Sequence, residues 1–116
     1  MNNNKLKGQA AEESSTQFLK NKGYNILFNN YRFGRCEIDI IAKKETILVF
    51  VEVKYRTNLK YGFPEHFVSD NKIRLYHEAA TKFIEDHKWN GLIRFDIISL
   101  SNKNSELEII HLEDAF

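Results

Sequence analysis

The sequence predicts an α/β fold in which helices flank a central mixed β-sheet. Three observations support this fold class. A stretch of helical periodicity opens the chain, three runs typical of strands follow it, and a second helical stretch precedes two more strand-like runs. A meander of three strands, to which a helical crossover adds a further strand, gives a three-layer sandwich.

The first helix is predicted from Lys5 to Lys22, and Gly23 supplies a C-terminal stop. Its apolar residues recur at a spacing of about 3.6 and form one broad stripe. These residues are Leu6, Ala10, Ala11, Phe18 and Leu19. Glu12 borders this stripe, so it either faces the sheet or remains an exposed residue of a charged first turn.

Three strands are predicted after this helix: YNILFNNYRF (24–33), CEIDIIA (36–42) and TILVFVEVK (46–54). Gly34 and Arg35 form the turn between the first two strands. A short loop at residues 43–46 would join the second and third strands as a hairpin.

The second half begins with an irregular segment, residues 55–68, in which Gly62 and Pro64 interrupt regular structure. A second helix follows, capped by Ser69 or Asp70 and ending near Lys88. The remaining strands are predicted at LIRFDIISL (92–100) and, as an edge strand, ELEIIHL (106–112). Within the former, Arg94 and Asp96 alternate, which favours an internal salt bridge over a functional role.

Length and composition indicate one compact domain over residues 1–116 with an ordinary globular composition, 42% hydrophobic and 28% charged. The single cysteine, Cys36, excludes an internal disulfide and a cysteine-rich zinc site. No stretch is apolar for long enough to span a membrane, and we expect a cytoplasmic protein without a membrane partner. Residues 1–60 carry eleven Lys or Arg against six Asp or Glu, a basic bias that fits a phosphate-bearing partner.

Two charged pairs interrupt the apolar strands. In FVEVKYR (50–56), Glu52 and Lys54 point to the same face, because side chains alternate along a strand. Glu37 and Asp39 share a face of the preceding strand for the same reason. A loop at 43–46 would pair Ala42 with Ile47, and Asp39 and Glu52 would then be diagonal neighbours. A register that differs by two keeps all four charges on one side.

Carboxylates gathered in this way repel one another, and a hard divalent cation with oxygen ligands relieves the repulsion. A lysine beside such an ion can orient an attacking water or stabilise a developing phosphate charge. The alternative is a sheet with one solvated face, the usual meaning of alternating charges. Coexistence of the two pairs on adjacent apolar strands favours the metal site.

These motifs together resemble the YraN-type family of small bacterial proteins. The resemblance rests on GQAAE, NNYRFGRCEIDIIA, VFVEVKYR and RFDIISL, and it covers the chain from Gly8 to about Leu100. This family is similar to the restriction-endonuclease-like PD-(D/E)-x-K superfamily and, in size and layout, to archaeal Holliday-junction resolvases. The resemblance therefore implies a restriction-endonuclease-like sandwich and nuclease chemistry with Mg²⁺ or Mn²⁺, although fold kinship alone establishes no activity.

The resemblance also implies residue roles. Asp39 and Glu52 would bind the metal, with the carbonyl of Val53 as a further ligand. Lys54 would be the catalytic lysine, and Glu12 would complete the site directly or through water. Glu37 belongs to the EID signature as an accessory residue. One position departs from the family pattern, since Cys36 stands where glycine is usual, which would alter the turn or narrow access to the site.

Basic residues near this site are candidates for contacts with DNA phosphates, with surface charge as the alternative reading of each. They are Arg56, Lys72, Arg32 and Arg35.

We therefore expect a metal-dependent endonuclease acting on double-stranded, branched or structured DNA. Alternatives are a DNA-binding subunit with little catalysis and a protein-interaction module. The apolar edge ELEIIHLEDAF suggests a homodimer, because cutting two strands requires two sites.

Overall fold

The computed structural model describes residues 3–56 and 68–116, with side chains from residue 8 onward. Helices and strands follow the predicted order within these residues. They are α1 (Asn3–Asn21), β1 (Asn25–Phe33), β2 (Cys36–Lys44), β3 (Ile47–Arg56), α2 (Asp70–His87), β4 (Leu92–Lys103) and β5 (Glu106–Leu112). Most of the segment predicted to be irregular lies outside the described residues.

The five strands form one mixed sheet in the order β1-β2-β3-β4-β5. Strand β3 pairs in parallel with β4, and the other neighbouring pairs are antiparallel. The predicted meander and the later strand added through a helical crossover are therefore confirmed, as is the edge position of β5.

The helices lie on opposite faces of the sheet. Leu48 and Phe50 of β3 share a buried cluster with Tyr76 of α2, whereas Val49 and Val51 share another with Leu19 of α1. Since successive side chains of a strand point to opposite faces, α1 and α2 must cover different faces. The sheet is thus the middle layer of three, which explains why β3 is apolar on both sides.

The caps of α2 agree with the prediction. Ser69 is the N-cap, and its hydroxyl accepts a 3.1 Å hydrogen bond from the main-chain N–H of Lys72. Lys88 ends the helix in the left-handed conformation. These caps fix Lys72 in the first turn, at the end of α2 that lies beside the charged strands.

The predicted register between β2 and β3 is wrong by two residues. Lys44 pairs with Ile47, and Ala42 pairs with Val49 rather than with Ile47. The strands extend further than expected because the connection is a tight turn at Glu45 and Thr46, where Glu45 adopts a positive φ of 55°. The shift is an even number, so it preserves which residues of the hairpin share a face.

A buried ion-pair network ties β4 to the C-terminal residues. Arg94 Nε lies 2.8 Å from Oδ1 of the fully buried Asp96, which confirms the structural interpretation of this pair. His111 Nε2 lies 2.7 Å from Asp96 Oδ2, and the N–H of Asp114 donates to Oδ1 at 3.0 Å. No helix of the described chain is long and apolar enough to cross a membrane.

Candidate functional site

The side-chain alternation of β2 changes phase at Asp39. Ile38 and Ile41 both pack in the cluster beneath α2, whereas Ile40 packs beneath α1. In a regular strand Ile38 and Ile40 would share a face. Asp39 stands at the irregular position between them, which no period-two pattern in the sequence could reveal.

The neighbouring strand β1 is irregular at the same level. Phe28 and Tyr31, three residues apart, both contact the ring of Phe83 on α2. Between them Asn30 adopts a left-handed conformation with φ of 57°, which asparagine tolerates better than most residues. Asn30 lies opposite Asp39 in the register, since Asn29 pairs with Ile40 and Tyr31 pairs with Ile38.

Strands β2 and β3 separate at this level. Their ladder runs from Lys44–Ile47 to Ile40–Val51 and does not continue to Asp39. Beyond its end, the main-chain N–H of Val53 donates a 2.7 Å hydrogen bond to Oδ2 of Asp39. The carboxylate of Asp39 is therefore held in the fork between the two strands.

Three carboxylates converge on this fork. Glu12 of α1, Glu37 and Asp39 each offer an oxygen, and these oxygens lie within 4.8 Å of one another. With its amide nitrogen turned toward the acids, Asn30 donates to Glu37 Oε1 at 2.8 Å and to Glu12 Oε2 at 3.1 Å. Glu12 thus faces the sheet, and the alternative of an exposed first-turn residue does not hold.

The acids perturb one another electrostatically. Burial, followed by the charge of Glu52, raises the pKa of Asp39 to about 7, against the lowering effect of the Val53 hydrogen bond. Burial also raises the pKa of Glu12, although the Asn30 hydrogen bond opposes the shift. Carboxylates that resist ionisation together are suited to a cation with oxygen ligands.

Glu52 belongs to the same site but has a different partner. Its side chain is only 4% exposed, and its Oε1 lies 2.9 Å from Lys72 Nζ and 3.8 Å from Lys54 Nζ. Among the described residues its other oxygen, Oε2, has no hydrogen-bond partner. Burial alone would lower the pKa of Lys72, but the bond to Glu52 outweighs it and the pKa is raised. Lys72 therefore contacts a carboxylate of the site directly, whereas the sequence indicated only a nearby basic residue for DNA phosphates.

Two clefts give solvent access to the acids. One of about 530 Å³ lies toward the start of α2, and one of about 450 Å³ lies toward α1. Glu37 lines both clefts, Asp39 lines the first and Glu12 lines the second.

The basic residues differ in their exposure. Arg35 is exposed and lines the larger cleft. Arg32 is 78% exposed at its side chain and forms a 2.6 Å ion pair with Glu37. Arg56, by contrast, is buried at the end of β3, so the chain geometry supports a surface role for Arg32 and Arg35 more than for Arg56.

A sequence profile described as "Uncharacterised protein family UPF0102" matches residues 11–100. The chain belongs to this family. UPF0102 proteins from three bacteria illustrate the similarity. The relative from Flavobacterium psychrophilum is 45% identical, with 94% of this chain and 92% of the relative covered. That from Natranaerobius thermophilus is 45% identical (98% and 99% covered), and that from Chloroherpeton thalassium is 42% identical (100% and 97% covered).

Membership of UPF0102 confirms the YraN-type resemblance, and the matched range contains all the acids of the site together with Lys54 and Lys72. Cys36, the departure from the expected family pattern, is a buried strand residue without a positive φ. Burial, followed by the charge of Glu52, raises the pKa of its thiol to about 11. Cys36 lines the larger cleft as a protonated thiol at the start of β2.

Two residues of the site were not predicted from the UPF0102 sequence. Asn30 was assigned only to a strand, and Tyr76 only fell within the second helix. Tyr76 lies one turn beyond Lys72 and is fully buried, with Asp39 and Glu52 close enough to act on its hydroxyl. Burial, followed by the charges of Asp39 and Glu52, raises its pKa well above the ordinary value. The i,i+4 spacing of Lys72 and Tyr76 was the available signal.

Proposed function

We propose that this protein is a metal-dependent endonuclease that hydrolyses phosphodiester bonds in DNA, on a restriction-endonuclease-like fold of the PD-(D/E)-x-K type. One observation carries the proposal. The carboxylates of Glu12, Glu37 and Asp39 converge within 4.8 Å at the fork of two strands. The ammonium groups of Lys54 and Lys72 lie beside the same site, where both contact the carboxylate of Glu52.

The residues present fit a hard divalent cation, Mg²⁺ or Mn²⁺. All the candidate side-chain ligands are carboxylates, and the buried Oε2 of Glu52 lacks a partner among the described residues. Asp39 and Glu52 would hold the ion with the carbonyl of Val53, and Glu12 would complete the shell directly or through water. Glu37, paired with Arg32, would support Glu12 as an accessory acid. When bound, such an ion supplies Lewis-acid stabilisation of the phosphate charge.

The lysine of β3 has a distinct task in hydrolysis. The Lys54 side chain is 28% exposed, so its ammonium reaches both the site and the solvent. It can donate hydrogen bonds to a phosphate oxygen and to the attacking water. In the reaction the water oxygen bonds to phosphorus, one P–O ester bond breaks, and the proton lost by water is balanced by the proton gained by the departing hydroxyl.

Exposed cations around the clefts would bind the DNA backbone. Arg32 and Arg35 are exposed beside the acids, and guanidinium groups bind phosphates in a bidentate manner. Lys72 and Arg56 complete the proposed set, Arg56 from its buried position. The substrate is double-stranded or branched DNA, which presents phosphates to both clefts.

A homodimer accompanies the proposal. The edge strand β5 exposes Leu107 by 47% and Ile110 by 36%, and a symmetric pairing through this edge would bring two sites onto one DNA. Light scattering over a wide concentration range tests this assembly. A monomeric mass at every concentration would exclude it without affecting the nuclease proposal.

The first experiment is calorimetric titration of Mn²⁺ into the wild type, Asp39→Asn and Glu85→Gln. Glu85 is an exposed acid of α2 and provides a control that loses one carboxylate outside the site. We expect binding in the wild type and the control and none in Asp39→Asn. The same three proteins are then incubated with linear duplex and four-way junction DNA in Mg²⁺, and only Asp39→Asn should fail to cleave. Cleavage by Asp39→Asn at the wild-type rate would contradict the proposal.

A second candidate function is a DNA-binding protein without catalysis. The observation that favours it is the compensation of Glu52 by two lysines, which stabilises the acid without any metal. A gel shift distinguishes the two functions. Binding that is independent of Mg²⁺, with the DNA intact after long incubation in Mg²⁺ or Mn²⁺, would favour the second.

A further inference from the structure

We propose that Lys72 is a built-in counter-ion of the metal site, which occupies the cation position at Glu52 until a divalent ion displaces it toward a DNA phosphate. This inference rests on the proposed function, since it names a regulation of the same site. It adds a role for Lys72 that precedes its contact with DNA. The position of its ammonium group carries the inference.

The ammonium of Lys72 forms an ion pair with the buried carboxylate of Glu52. Glu52 is 4% exposed at its side chain, and Lys72 Nζ is 2.9 Å from its Oε1. A buried carboxylate without a compensating charge is strongly destabilising, so Glu52 requires a positive partner in every state of the protein. Among the described residues, Lys72 makes the shortest such contact, and Lys54 follows at 3.8 Å.

Among the described residues, Glu12 and Asp39 form no ion pair, whereas Glu37 pairs with Arg32 at 2.6 Å. Glu12, Glu37 and Asp39 form their cluster without Glu52, and burial together with the charge of Glu52 raises the pKa of Asp39. A divalent ion shared by Asp39 and Glu52 would compensate both acids at once. Lys72 compensates Glu52 at short range, so the ion and the ammonium compete for the same carboxylate.

A cleft beside Lys72 can accommodate its side chain after displacement from Glu52. Its backbone is fixed in the first turn of α2 by the Ser69 cap, yet its side chain is 37% exposed and lines the cleft of about 530 Å³ that also contains Arg35. Rotation about side-chain bonds alone would carry the ammonium from Glu52 into this cleft. There it would meet the phosphate of a bound DNA strand beside Arg35.

Two consequences follow from the competition. The protein without DNA should bind a divalent ion more weakly than its carboxylates alone would allow. A DNA phosphate that attracts Lys72 should in turn release Glu52 for the ion, so DNA and metal should strengthen each other's binding. The site would then load its metal preferentially when a phosphodiester is present.

The test compares Mn²⁺ binding, by titration calorimetry without DNA, in the wild type, Lys72→Met and Lys82→Met. Lys82 lies on the same helix in an exposed ion pair with Asp86, so its substitution is the matched control. We expect Lys72→Met to bind Mn²⁺ about tenfold more tightly than the wild type, and Lys82→Met to bind like the wild type. Equal or weaker binding by Lys72→Met would overturn the inference.

The design keeps the two proposals separate. Wild-type Mn²⁺ binding that Lys72→Met does not improve would overturn the counter-ion role and leave the proposed function standing. Absence of Mn²⁺ binding in all three proteins, with no DNA cleavage, would overturn both. If Lys72→Met does not fold, as judged by its melting curve, Lys72→Gln is titrated in its place and is held to the same tenfold expectation.

Discussion

The main-chain N–H of Val53 donates a 2.7 Å hydrogen bond to Oδ2 of Asp39, at the level where β2 and β3 no longer pair. This bond favours the ionised carboxylate, whereas burial and the charge of Glu52 favour the protonated one. Because the latter effects are larger, the pKa of Asp39 lies at about 7. The site therefore contains an acid that titrates close to neutral pH in the absence of divalent cations.

The raised pKa of Asp39 predicts that stability decreases as pH rises. Its folded pKa of about 7 lies above the ordinary value of 3.8. The folded state therefore binds more protons than the unfolded state between these values. The resulting stabilisation is complete below the ordinary pKa and is lost as pH rises through about 7.

Melting temperatures measured from pH 5 to pH 8 without divalent ions check this prediction. We expect the wild type to lose stability over this range relative to Asp39→Asn, which cannot titrate at this position. Glu12 has a shift in the same direction and interacts with Asp39, so the difference between the two proteins reports the titration of Asp39 together with its coupling to Glu12. Parallel curves for the two proteins would contradict the prediction.

Asn30→Asp should destabilise the protein, because it replaces the donor between Glu12 and Glu37 with a fourth carboxylate. Aspartate tolerates the left-handed conformation of this position, so the effect is one of charge and hydrogen bonding. Because Asn30 is itself exposed, we expect a loss of about 0.5–1.5 kcal/mol in the free energy of unfolding at pH 8, measured by urea denaturation, and a smaller loss at pH 5. Asn25→Asp, at an exposed position of the same strand, is the control, and an equal loss in both variants would count against the prediction.

Asp96→Ala should reduce the free energy of unfolding by about 3–5 kcal/mol, because it leaves the guanidinium of Arg94 without its buried partner. The matched control is Asp86→Ala, which removes one member of an exposed i,i+4 pair with Lys82 and should cost about 0.5 kcal/mol or less. Urea denaturation of both variants measures the difference. Similar losses in the two would show that the Asp96 network contributes little.

The single thiol of the chain should react slowly in the folded state. Cys36 is buried, and burial together with the charge of Glu52 raises its pKa to about 11 from 9.0. Only the thiolate reacts with disulfide reagents, so the rate with an aromatic disulfide at pH 8 should be about 100-fold lower than in the denatured protein. The absence of other cysteines makes the kinetics those of one group. Equal rates in the two states would show that Cys36 is accessible.

Much of the layered architecture was predictable because it depends on local periodicity. The apolar stripe of α1, the Ser69 cap of α2 and the continuous apolar run of β3 each act over a few residues, and their bounds agree with the structure within a few positions. The shared face of Glu52 and Lys54 follows from strand alternation in the same way and is confirmed by their 3.8 Å contact.

Prediction of the site's geometry required more information than local sequence patterns provide. The register between β2 and β3 depends on the two-residue turn at Glu45, and the fork at Asp39 lies where the pairing of β2 with β3 ends. A period-two pattern does not reveal a position where the period changes. The prediction placed Asp39 beside Glu52, and the structure adds that Glu12, Glu37 and Asp39 form a tight cluster.

The sequence by itself determined which elements form, their order and the acids and lysines that they carry, because helix and strand patterns are set by neighbours along the chain. Only the tertiary structure decided which of these charges meet. Lys72 contacts Glu52, which is 20 positions away in the sequence, because α2 packs beside β3. The N–H of Val53 bonds to Asp39, which is 14 positions away, where β2 and β3 no longer pair. Such contacts depend on the angles and distances between helices and strands, which the pattern of a single sequence does not specify.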